Sequence, residues 1–319
     1  MPKKSRVTFC AKHVNLIYIM KRVLITGVNS YIGNNFEKYA LEKYPDEFII
    51  DKISLKDPAW REKSFSGYDC VLHVAGIAHV DIGGLGPDEA KLYYSVNRDL
   101  AIEAAEKAKR EGVKQFVFMS SMIVYGNADF VRERITKDTP PHPVSAYGDS
   151  KWQADKGVRA LADENFIVTT VRPPMIYGKG SKGNYPRLAH FSRMLKFFPN
   201  IKNERSMLFI YNLCEFLCQV IMRSRGGIFW PQNAEYSCTS EMVREIARLA
   251  NHDIFISRIF NWIVWFAYHV PGNGKAPRRL RDLARKAFLN MAYEQDMSVY
   301  DFEYRLYDLK TSLRISEAE

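Results

Sequence analysis

The sequence predicts an α/β fold in which a doubly wound parallel sheet is followed by a smaller C-terminal portion. From residue 21 to residue 171, short apolar segments typical of strands alternate with longer segments of helical periodicity. This alternation predicts parallel strands joined by helical crossovers. Beyond residue 178 the pattern mixes helices and short strands. We therefore expect one domain over 20–178 and a second over 179–319, with segments that return to the first.

The composition is that of a globular protein with a substantial core, because 47% of the 319 residues are apolar and 26% are charged. The net charge of +10 is concentrated: residues 1–22 and residues 258–286 each carry +6, which leaves −2 for the remainder. A weakly acidic middle offers no continuous polyanion-binding surface, which argues against nucleic acid as a partner. We interpret the basic ends as a solvated tail and a solvated face rather than a membrane contact.

The five cysteines form an odd set without the spacing of a disulfide framework. They are predicted to be reduced thiols of a cytoplasmic protein, and without matching His or Cys pairs they predict no metal site. These cysteines are Cys10, Cys70, Cys214, Cys218 and Cys238.

The first nineteen residues fit poorly with the chain that follows. The apolar run from Val14 to Met20 is too short for a membrane span or a standard signal-peptide core. Met20, followed by two basic residues and a strand pattern, resembles a natural start. Residues 1–19 are therefore predicted to be a poorly ordered upstream extension.

A glycine turn follows the first predicted strand, Val23–Ile25. The segment Thr26–Gly33 follows the pattern T-G-x-x-G-x-x-G, with Gly27 and Gly33 at the first and third glycine positions and Ser30 at the second. A helix that starts here would offer unpaired N–H groups and a partial positive charge to a pyrophosphate. Ser30 fits if its φ angle is negative, and its hydroxyl could then donate to a phosphate. Alone, the turn is equally compatible with a plain strand–turn–helix unit.

The second predicted strand, Phe48–Leu55, follows a helical segment over Tyr31–Lys43. In nucleotide-binding folds the end of this strand meets the adenine ribose. Asp51 could bind the ribose hydroxyls and favour NAD, whereas Lys56 could meet the 2′-phosphate of NADP. The second alternative is slightly favoured, because the apolar residues continue to Leu55.

The later strands and helices complete the predicted sheet. A third strand within 69–76 ends in Ala75 and Gly76, whose small size would let the backbone approach a cofactor. Further strands are predicted at Gln115–Met119 and Phe166–Val171, with helices over 87–110 and 145–162.

Tyr147-Gly-Asp-Ser-Lys151 has the spacing Y-x-x-x-K, which places both side chains on one face of a helix. A nearby ammonium group favours the phenolate and lowers the pKa of a tyrosine. Tyr147 would then transfer a proton near neutral pH. Ser121, just after the preceding strand, is positioned to hydrogen-bond the reacting oxygen.

In this order the motifs resemble those of extended short-chain dehydrogenase/reductases, in the nucleotide-sugar epimerase/dehydratase group. The chain is similar to the UDP-glucose 4-epimerase-like and 4-ketoreductase-like branches from about residue 20 to the C-terminus. The resemblance implies a Rossmann domain, a C-terminal substrate-binding domain, bound NAD or NADP, and a homodimer formed through the helices of 87–110 and 145–162. The motifs that carry it are Thr26–Gly33, His73–Gly76, Asn97, Ser120–Gly126, Tyr147–Lys151 and Arg172–Gly178.

The resemblance also implies functional residues. The catalytic residues are Ser121, Tyr147 and Lys151, with Asn97 helping to hold the cofactor and Asp69 reaching the adenine. The cofactor-binding residues are Gly27, Ser30, Tyr31, Ile32, Gly33, Asp51, Lys56, Asp69, Cys70, Ala75, Gly76, Asn97, Tyr147, Lys151 and Pro174. The substrate-binding residues are Ser121, Met122, Asn184, Arg187 and Arg205.

The implied substrate is a nucleotide sugar, expected to be UDP-linked, that reacts at C4. Arg205 begins a segment similar to the family's R-x-x-x-x-x-D, in which Tyr211 replaces the aspartate. Its guanidinium would bind a pyrophosphate through two hydrogen bonds. Met122-Ile123 stands where 4,6-dehydratases carry an Asp-Glu pair, so dehydration is not expected.

Two alternatives to a 4-epimerase remain: a nucleotide-sugar 4-ketoreductase, and a non-catalytic redox sensor or scaffold with a Rossmann fold. The retained serine, tyrosine and lysine favour catalysis. A separate alternative concerns Ile254–Val270, which is rich in Phe, Trp and Ile. Arg258, Asn261 and His269 interrupt it, so no transmembrane span is expected. A helix packed on the second domain is favoured over an interfacial helix.

Overall fold

The computed structural model describes residues 20–78, 87–126, 133–271 and 274–318. The predicted extension over residues 1–19 lies outside this range. The strands are β1 (Lys21–Thr26), β2 (Phe48–Ile53), β3 (Cys70–His73), β4 (Gln115–Met119), β5 (Ile167–Val171), β6 (Met175–Tyr177), β7 (Phe197–Pro199), β8 (Met207–Phe209), β9 (Gly227–Phe229) and β10 (Phe255–Ser257). The helices are α1 (Tyr31–Lys43), α2 (Pro87–Tyr93), α3 (Leu100–Arg110), α4 (Ala146–Arg159), α5 (Asn184–Met194), α6 (Ile210–Met222), α7 (Thr239–Leu249), α8 (Asn261–His269), α9 (Lys275–Phe288) and α10 (Leu309–Glu317).

Six parallel strands form the central sheet in the order β2-β1-β3-β4-β5-β9. The chain leaves β1 toward β2 on one side and returns to β3 on the other. This reversal creates a crevice at the carboxyl end of β1, where open α/β sheets bind ligands. The glycine turn predicted from the sequence follows β1 directly, so it lies at this crevice.

Both faces of the sheet are covered, which explains why its strands are almost continuously apolar. In β1, Val23 and Ile25 belong to a core shared with α1 and α6, while Leu24 faces a second core shared with α3 and α4. This alternation is the period of two expected for a strand. The predicted α/β fold with a doubly wound parallel sheet is confirmed.

Part of the chain beyond residue 178 joins this layer. β9 pairs with β5, and α6 packs along α1 with most of its residues buried. The rest contributes β8, which pairs in parallel with β6 just before residue 178, and the parallel pair of β7 with β10, together with the surrounding helices. The division at residue 178 into two domains stays a prediction.

β2 ends at Ile53, two residues before the predicted end. Ile53 lies opposite Thr26, and its carbonyl accepts a hydrogen bond from Gly27 at 2.9 Å. Pairing with β1 therefore decides where the strand stops, although Leu55 beyond it is still buried. Within the described ranges, no helix has the length and apolar content needed to cross a bilayer.

Candidate active site

The glycine turn is shaped by close contacts between β1, α1 and the segment after β3. Gly27 has a φ angle of +96°, and a Cβ there would lie 3.2 Å from the backbone of Ala75. At Gly33 a Cβ would lie 2.9 Å from Ile25 Cγ2 and 3.2 Å from Val74 Cγ2. Both positions exclude larger residues, and together they bring the start of α1 to the end of the sheet.

Ser30 caps α1, with φ −70°, ψ 132° and an Oγ that accepts a hydrogen bond from Gly33 N at 3.3 Å. The negative φ expected for a serine at this glycine position is confirmed. The hydroxyl proton stays available for a phosphate, and Tyr31 and Ile32 form the first helical residues behind it.

The hydroxyl of Tyr31 is buried and has no hydrogen-bond partner among the described residues. A Cβ on Gly178, whose φ is +149°, would lie 2.8 Å from this hydroxyl. An unpaired buried hydroxyl is costly unless a ligand completes it. The glycine turn and this hydroxyl therefore fit a dinucleotide, which would supply hydride acceptance and return when bound.

The two alternatives for the ribose occupy different places. Asp51 lies in β2 opposite Leu24, and its carboxylate accepts a hydrogen bond from the Tyr68 hydroxyl at 2.9 Å. Tyr68 in turn stacks under the Arg22 guanidinium, near the start of β1. Lys56 is exposed three residues beyond the end of β2. Which of the two meets a ribose stays a prediction.

The assignment of Asp69 and Cys70 to the adenine is corrected by their position. Asp69 Oδ2 accepts a hydrogen bond from the Arg22 amide at 2.8 Å, and Cys70 pairs with Val23 and is fully buried in the core. Both lie at the amino end of the parallel strands. Four to five residues of strand, at about 3.3 Å each, separate this end from the glycine turn.

Asn97 fixes the segment after β3 and meets the candidate catalytic lysine. Its Oδ1 accepts from Ile77 N at 2.9 Å, and its Nδ2 donates to Ile77 O at 3.0 Å. A Cβ on Gly76 would lie 2.9 Å from Asn97 Oδ1 and 3.3 Å from Lys151 Nζ. Asn97 reaches this position from a π-helical turn, Tyr94–Asp99, which the sequence analysis did not anticipate.

Ser121 and Tyr147 come together at the carboxyl end of β4. Ser121 begins the 3₁₀ turn Met122–Tyr125, and its side chain is hydrogen-bonded to Tyr147 on the first turn of α4. Gly148 permits this approach, because a Cβ there would lie 3.0 Å from Ile123 O. The sequence prediction that the serine and the tyrosine meet is therefore supported by the geometry.

Lys151 lies on the same face of α4 and donates from Nζ to Met119 O at 2.9 Å. Burial lowers the pKa of Lys151 to about 8. Burial also raises the pKa of Tyr147 to about 12, with nearby Tyr93 raising it further and the Ser121 hydrogen bond opposing the shift. The expectation of a lowered pKa for Tyr147 is wrong, because removal of the phenol from water dominates.

A buried ion pair that the sequence analysis missed holds these elements together. Asp155, one turn after Lys151, accepts from Arg172 Nε at 2.9 Å and from Ser120 Oγ at 2.9 Å. Arg172 Nη1 also donates to the Tyr125 hydroxyl at 2.7 Å. The pair therefore joins α4 to both segments that follow β4 and β5. The sequence offered one signal for this pair: Asp155 follows Lys151 by four residues and therefore lies on the same face of α4.

The segment after β5 also contacts the catalytic turn. Pro173 O accepts from Met122 N at 2.9 Å, and Pro174 next to it is buried. This brings Pro174 close to the turn that carries Ser121, and its contact with a cofactor stays a prediction.

Arg205 is a largely buried cation that no carboxylate pairs with in the described part of the chain. Its Nη1 donates to Leu289 O at 2.8 Å, and burial lowers its pKa to about 10. Ser237 pairs with it across an antiparallel bridge, so both side chains point to one face. The Ser237 hydroxyl is buried without a partner in the described structure. A buried unpaired cation beside an unpaired donor is suited to an anion.

The other substrate-binding predictions lie on α5. Asn184 is its first residue, after Gly183 at a φ of +97°. Arg187, one turn later, lines a cleft of 460 Å³ with Phe191 and with Leu283 of α9. Tyr211, in place of the family's aspartate, instead stacks on Tyr39 in the core at 5.9 Å between ring centroids.

Comparison with known proteins identifies the family. Residues 23–229 match the model of the NAD dependent epimerase/dehydratase family, which is more than half of the chain. The protein therefore belongs to this family, and it is an NAD(P)-dependent enzyme of the extended short-chain dehydrogenase/reductase type. The predictions of family and enzyme class are confirmed, and the NAD dependence of the family agrees with the predicted cofactor, NAD or NADP.

Two of the relatives are 4-epimerases of sugars on different carriers. The chain is 29% identical over 248 residues to the UDP-glucose 4-epimerase of Vibrio cholerae, covering 71% of this chain and 75% of that protein. It is 27% identical over 206 residues to the N-acetyl-alpha-D-glucosaminyl-diphospho-ditrans,octacis-undecaprenol 4-epimerase of Escherichia coli O157:H7, covering 63% of this chain and 59% of that protein.

The structure resembles that of the UDP-glucose 4-epimerase of Thermus thermophilus in complex with NAD. The TM-score is 0.67 at 18% identity, covering 93% of this chain and 97% of the other. At this identity the likeness supports the shared fold alone.

Proposed function

We propose that this protein is a UDP-hexose 4-epimerase. The observation that carries the proposal is the cluster formed by Ser121, Tyr147 and Lys151 at the carboxyl end of the sheet, beside Gly76 and Asn97. The crevice of a doubly wound sheet is where a dinucleotide binds. This position supports the proposal, because a proton-transfer group there would lie next to the expected position of a nicotinamide.

In the proposed reaction Tyr147 takes the proton of the sugar C4 hydroxyl, and a dinucleotide held at the glycine turn would supply acceptance and return of the C4 hydride. Ser121 hydrogen-bonds the same sugar oxygen and holds it against the phenol. Epimerisation would require the keto sugar to rotate, so that its opposite face meets the bound dinucleotide, before Tyr147 gives the proton back. Lys151 supplies positive charge beside the developing phenolate.

We propose that Arg205 and Ser237 bind the diphosphate of the substrate. This rests on the buried Ser237 hydroxyl, which has no partner in the described structure, and on Arg205, which no carboxylate pairs with in the described part of the chain. The fork of its guanidinium matches two phosphate oxygens. Asn184 and Arg187 are proposed to contact the rest of the carrier from α5. UDP is the proposed carrier, and a polyprenyl-diphosphate sugar is the comparison substrate because a diphosphate is common to both.

The proposed oligomer is a homodimer formed through the helices of 87–110 and 145–162. In the structure α2, the π-helical turn and α3 pack along α4, so these helices form one continuous layer. The proposed location is cytoplasmic, because Cys70, Cys214, Cys218 and Cys238 are all unpaired thiols.

The test begins with the nucleotide released when purified protein is denatured. Tightly held NAD, together with interconversion of UDP-glucose and UDP-galactose, is the expected result. An empty site with a requirement for added NADPH would instead identify a 4-ketoreductase. Cofactor binding without turnover of UDP-sugars or polyprenyl-diphosphate sugars would leave the scaffold alternative and overturn the proposal.

The same assay checks that no dehydration occurs. Removal of water across C5 and C6 needs an additional acid and base. Met122 and Ile123 hold the two positions after Ser121, and neither side chain transfers protons. Incubation with UDP-glucose and dTDP-glucose should give no 4-keto-6-deoxy sugar by mass spectrometry, and formation of that product would contradict the assignment.

A further inference from the structure

The helix α8 differs from an ordinary surface helix in which of its side chains are buried and which are exposed. Its buried residues are the small Val264 and Ala267, whereas Trp262 and Trp265 are 64% and 63% exposed. Phe266, one turn after Trp262 and on the same face, is also exposed. A surface helix of a globular protein buries its large apolar side chains. α8 therefore presents its most hydrophobic face outward.

The exposed apolar side chains near α8 form a local surface. Phe197 and Phe255 are paired neighbours on β7 and β10, and both rings contact Phe260, at 5.4 and 6.0 Å. Ile259 follows, exposed, and leads into α8. In the described residues, every exposed Phe and Trp lies here: Phe191, Phe197, Phe255, Trp262, Trp265 and Phe266. A patch of this kind marks an interaction site.

The same segments are strongly basic. Residues 186–197 and 254–288 contain ten Lys and Arg against a single acid, Asp282, for a formal charge of +9 out of +10 for the chain. Five of these cations are exposed in the structure: Arg187, Arg193, Lys196, Arg258 and Lys286. We call the exposed apolar side chains and cations of these two segments the aromatic–basic surface.

We propose that the aromatic–basic surface docks on an anionic lipid membrane. Trp side chains favour the bilayer interface, and nearby Lys and Arg attract anionic headgroups. One bilayer surface thus satisfies both the apolar and the cationic parts of the patch. A second copy of the chain satisfies only the first, because a twofold contact would bring two basic surfaces together.

Docking in this way would bring the candidate substrate-binding region close to lipid. Phe191 belongs to the surface, and it lines the 460 Å³ cleft together with Leu283 and Arg187. The cleft therefore opens beside the patch. The membrane proposal itself does not depend on the identity of the sugar or its carrier.

The experiment is flotation of the full-length protein with vesicles of phosphatidylcholine, with and without phosphatidylglycerol. The expected result is flotation with the anionic vesicles that weakens as salt is raised. Trp262→Ser with Trp265→Ser should lower the partition coefficient at least tenfold, because two interfacial anchors are lost. Arg258→Gln and Lys286→Gln should each lower it by about fivefold.

Matched controls separate a specific surface from general stickiness. Leu41→Ser with Val299→Ser removes two exposed apolar side chains outside the surface and should leave flotation unchanged. Brominated lipid should quench the fluorescence of the wild type, but not of a Trp262→Phe, Trp265→Phe variant that still floats. Circular dichroism and cofactor binding show whether each variant is folded.

Two results would overturn the proposal. The first is wild-type protein that does not float with anionic vesicles, or a variant with both serine substitutions that floats as well as the wild type. The second is a dimer in sedimentation that the serine substitutions dissociate, with no flotation, which would assign the surface to a second copy.

Discussion

Two regions of this protein depart from the usual distribution of polar and apolar residues, in opposite directions. Around the start of α4, polar and charged groups are buried: Asn97, Lys151, Asp155 and Arg172 are each less than 8% exposed. On α8 the largest apolar side chains are exposed instead. Buried charges and exposed apolar patches are the informative exceptions to the rule of apolar interiors. The comparison indicates that one region is organised for chemistry and the other for contact with a partner.

α6 shows that apolar composition alone does not produce an exposed face. It is nearly as apolar as α8, but its residues from Leu213 to Cys218 are all buried between α1 and the sheet. The two helices differ in what packs against them rather than in overall apolar content. Four predictions test whether the regions differ as the structure indicates.

Tyr147→Phe should have the largest effect on function. Loss of the proton-transfer group should lower kcat by about 10²–10⁴-fold. The ring and its packing on Tyr93 stay, so cofactor binding and thermal stability should change little. Steady-state kinetics and nucleotide titration measure the two quantities, and unchanged kcat would show that the buried polar region is structural only.

Asp155→Asn should have the largest effect on stability. It leaves the Arg172 guanidinium buried without a countercharge, which costs about 3–5 kcal/mol. Arg159→Gln is the matched control, because Arg159 also binds Asp155 but is one-third exposed, and its loss should cost below about 1 kcal/mol. Urea denaturation compares them, and equal losses would show that burial does not set the strength of this pair.

Leu217→Ala in α6 and Trp265→Ala in α8 compare the two apolar helices directly. Leu217 is fully buried, so its truncation should destabilise the protein by about 2–5 kcal/mol. Trp265 is mostly exposed, so its truncation should change the free energy of unfolding by less than about 0.5 kcal/mol. A large loss at Trp265 in the absence of lipid would mean that α8 is packed more fully than the structure shows.

Lys151 gives the smallest expected effect, a dependence of stability on pH. Its pKa falls from the model-peptide value of 10.5 to about 8 on folding, so the unfolded chain binds more protons between these two values. The contribution of Lys151 to the free energy of unfolding should therefore rise as the pH increases from about 8 to 10.5, by about 3 kcal/mol at most. The difference between wild type and Lys151→Met, measured by urea denaturation at several pH values, isolates this effect from that of Tyr147. A flat difference would contradict it.

The sequence by itself determined the parallel sheet, the glycine turn and the shared helix face of Tyr147 and Lys151. These features depend on local signals: strand and helix periodicity, a glycine at a positive φ, and a spacing of one helical turn. That a serine fits at position 30 could likewise be predicted, because a helix-capping residue has a negative φ angle. Such signals lie within about a dozen residues of one another, so no distant contact is needed to interpret them.

Only the tertiary structure decided the register of β2, the place of Asp69 at the amino end of the sheet, and the pairing of Asp155 with Arg172. It also decided that burial raises the pKa of Tyr147. The exposure of α8 belongs to the same group, because the sequence favoured a packed helix and did not show which face would be covered. Each of these features depends on which strands and helices pack together although they are far apart in the sequence. Burial, and the pKa shift that it causes, is set by this packing and not by the residue type alone.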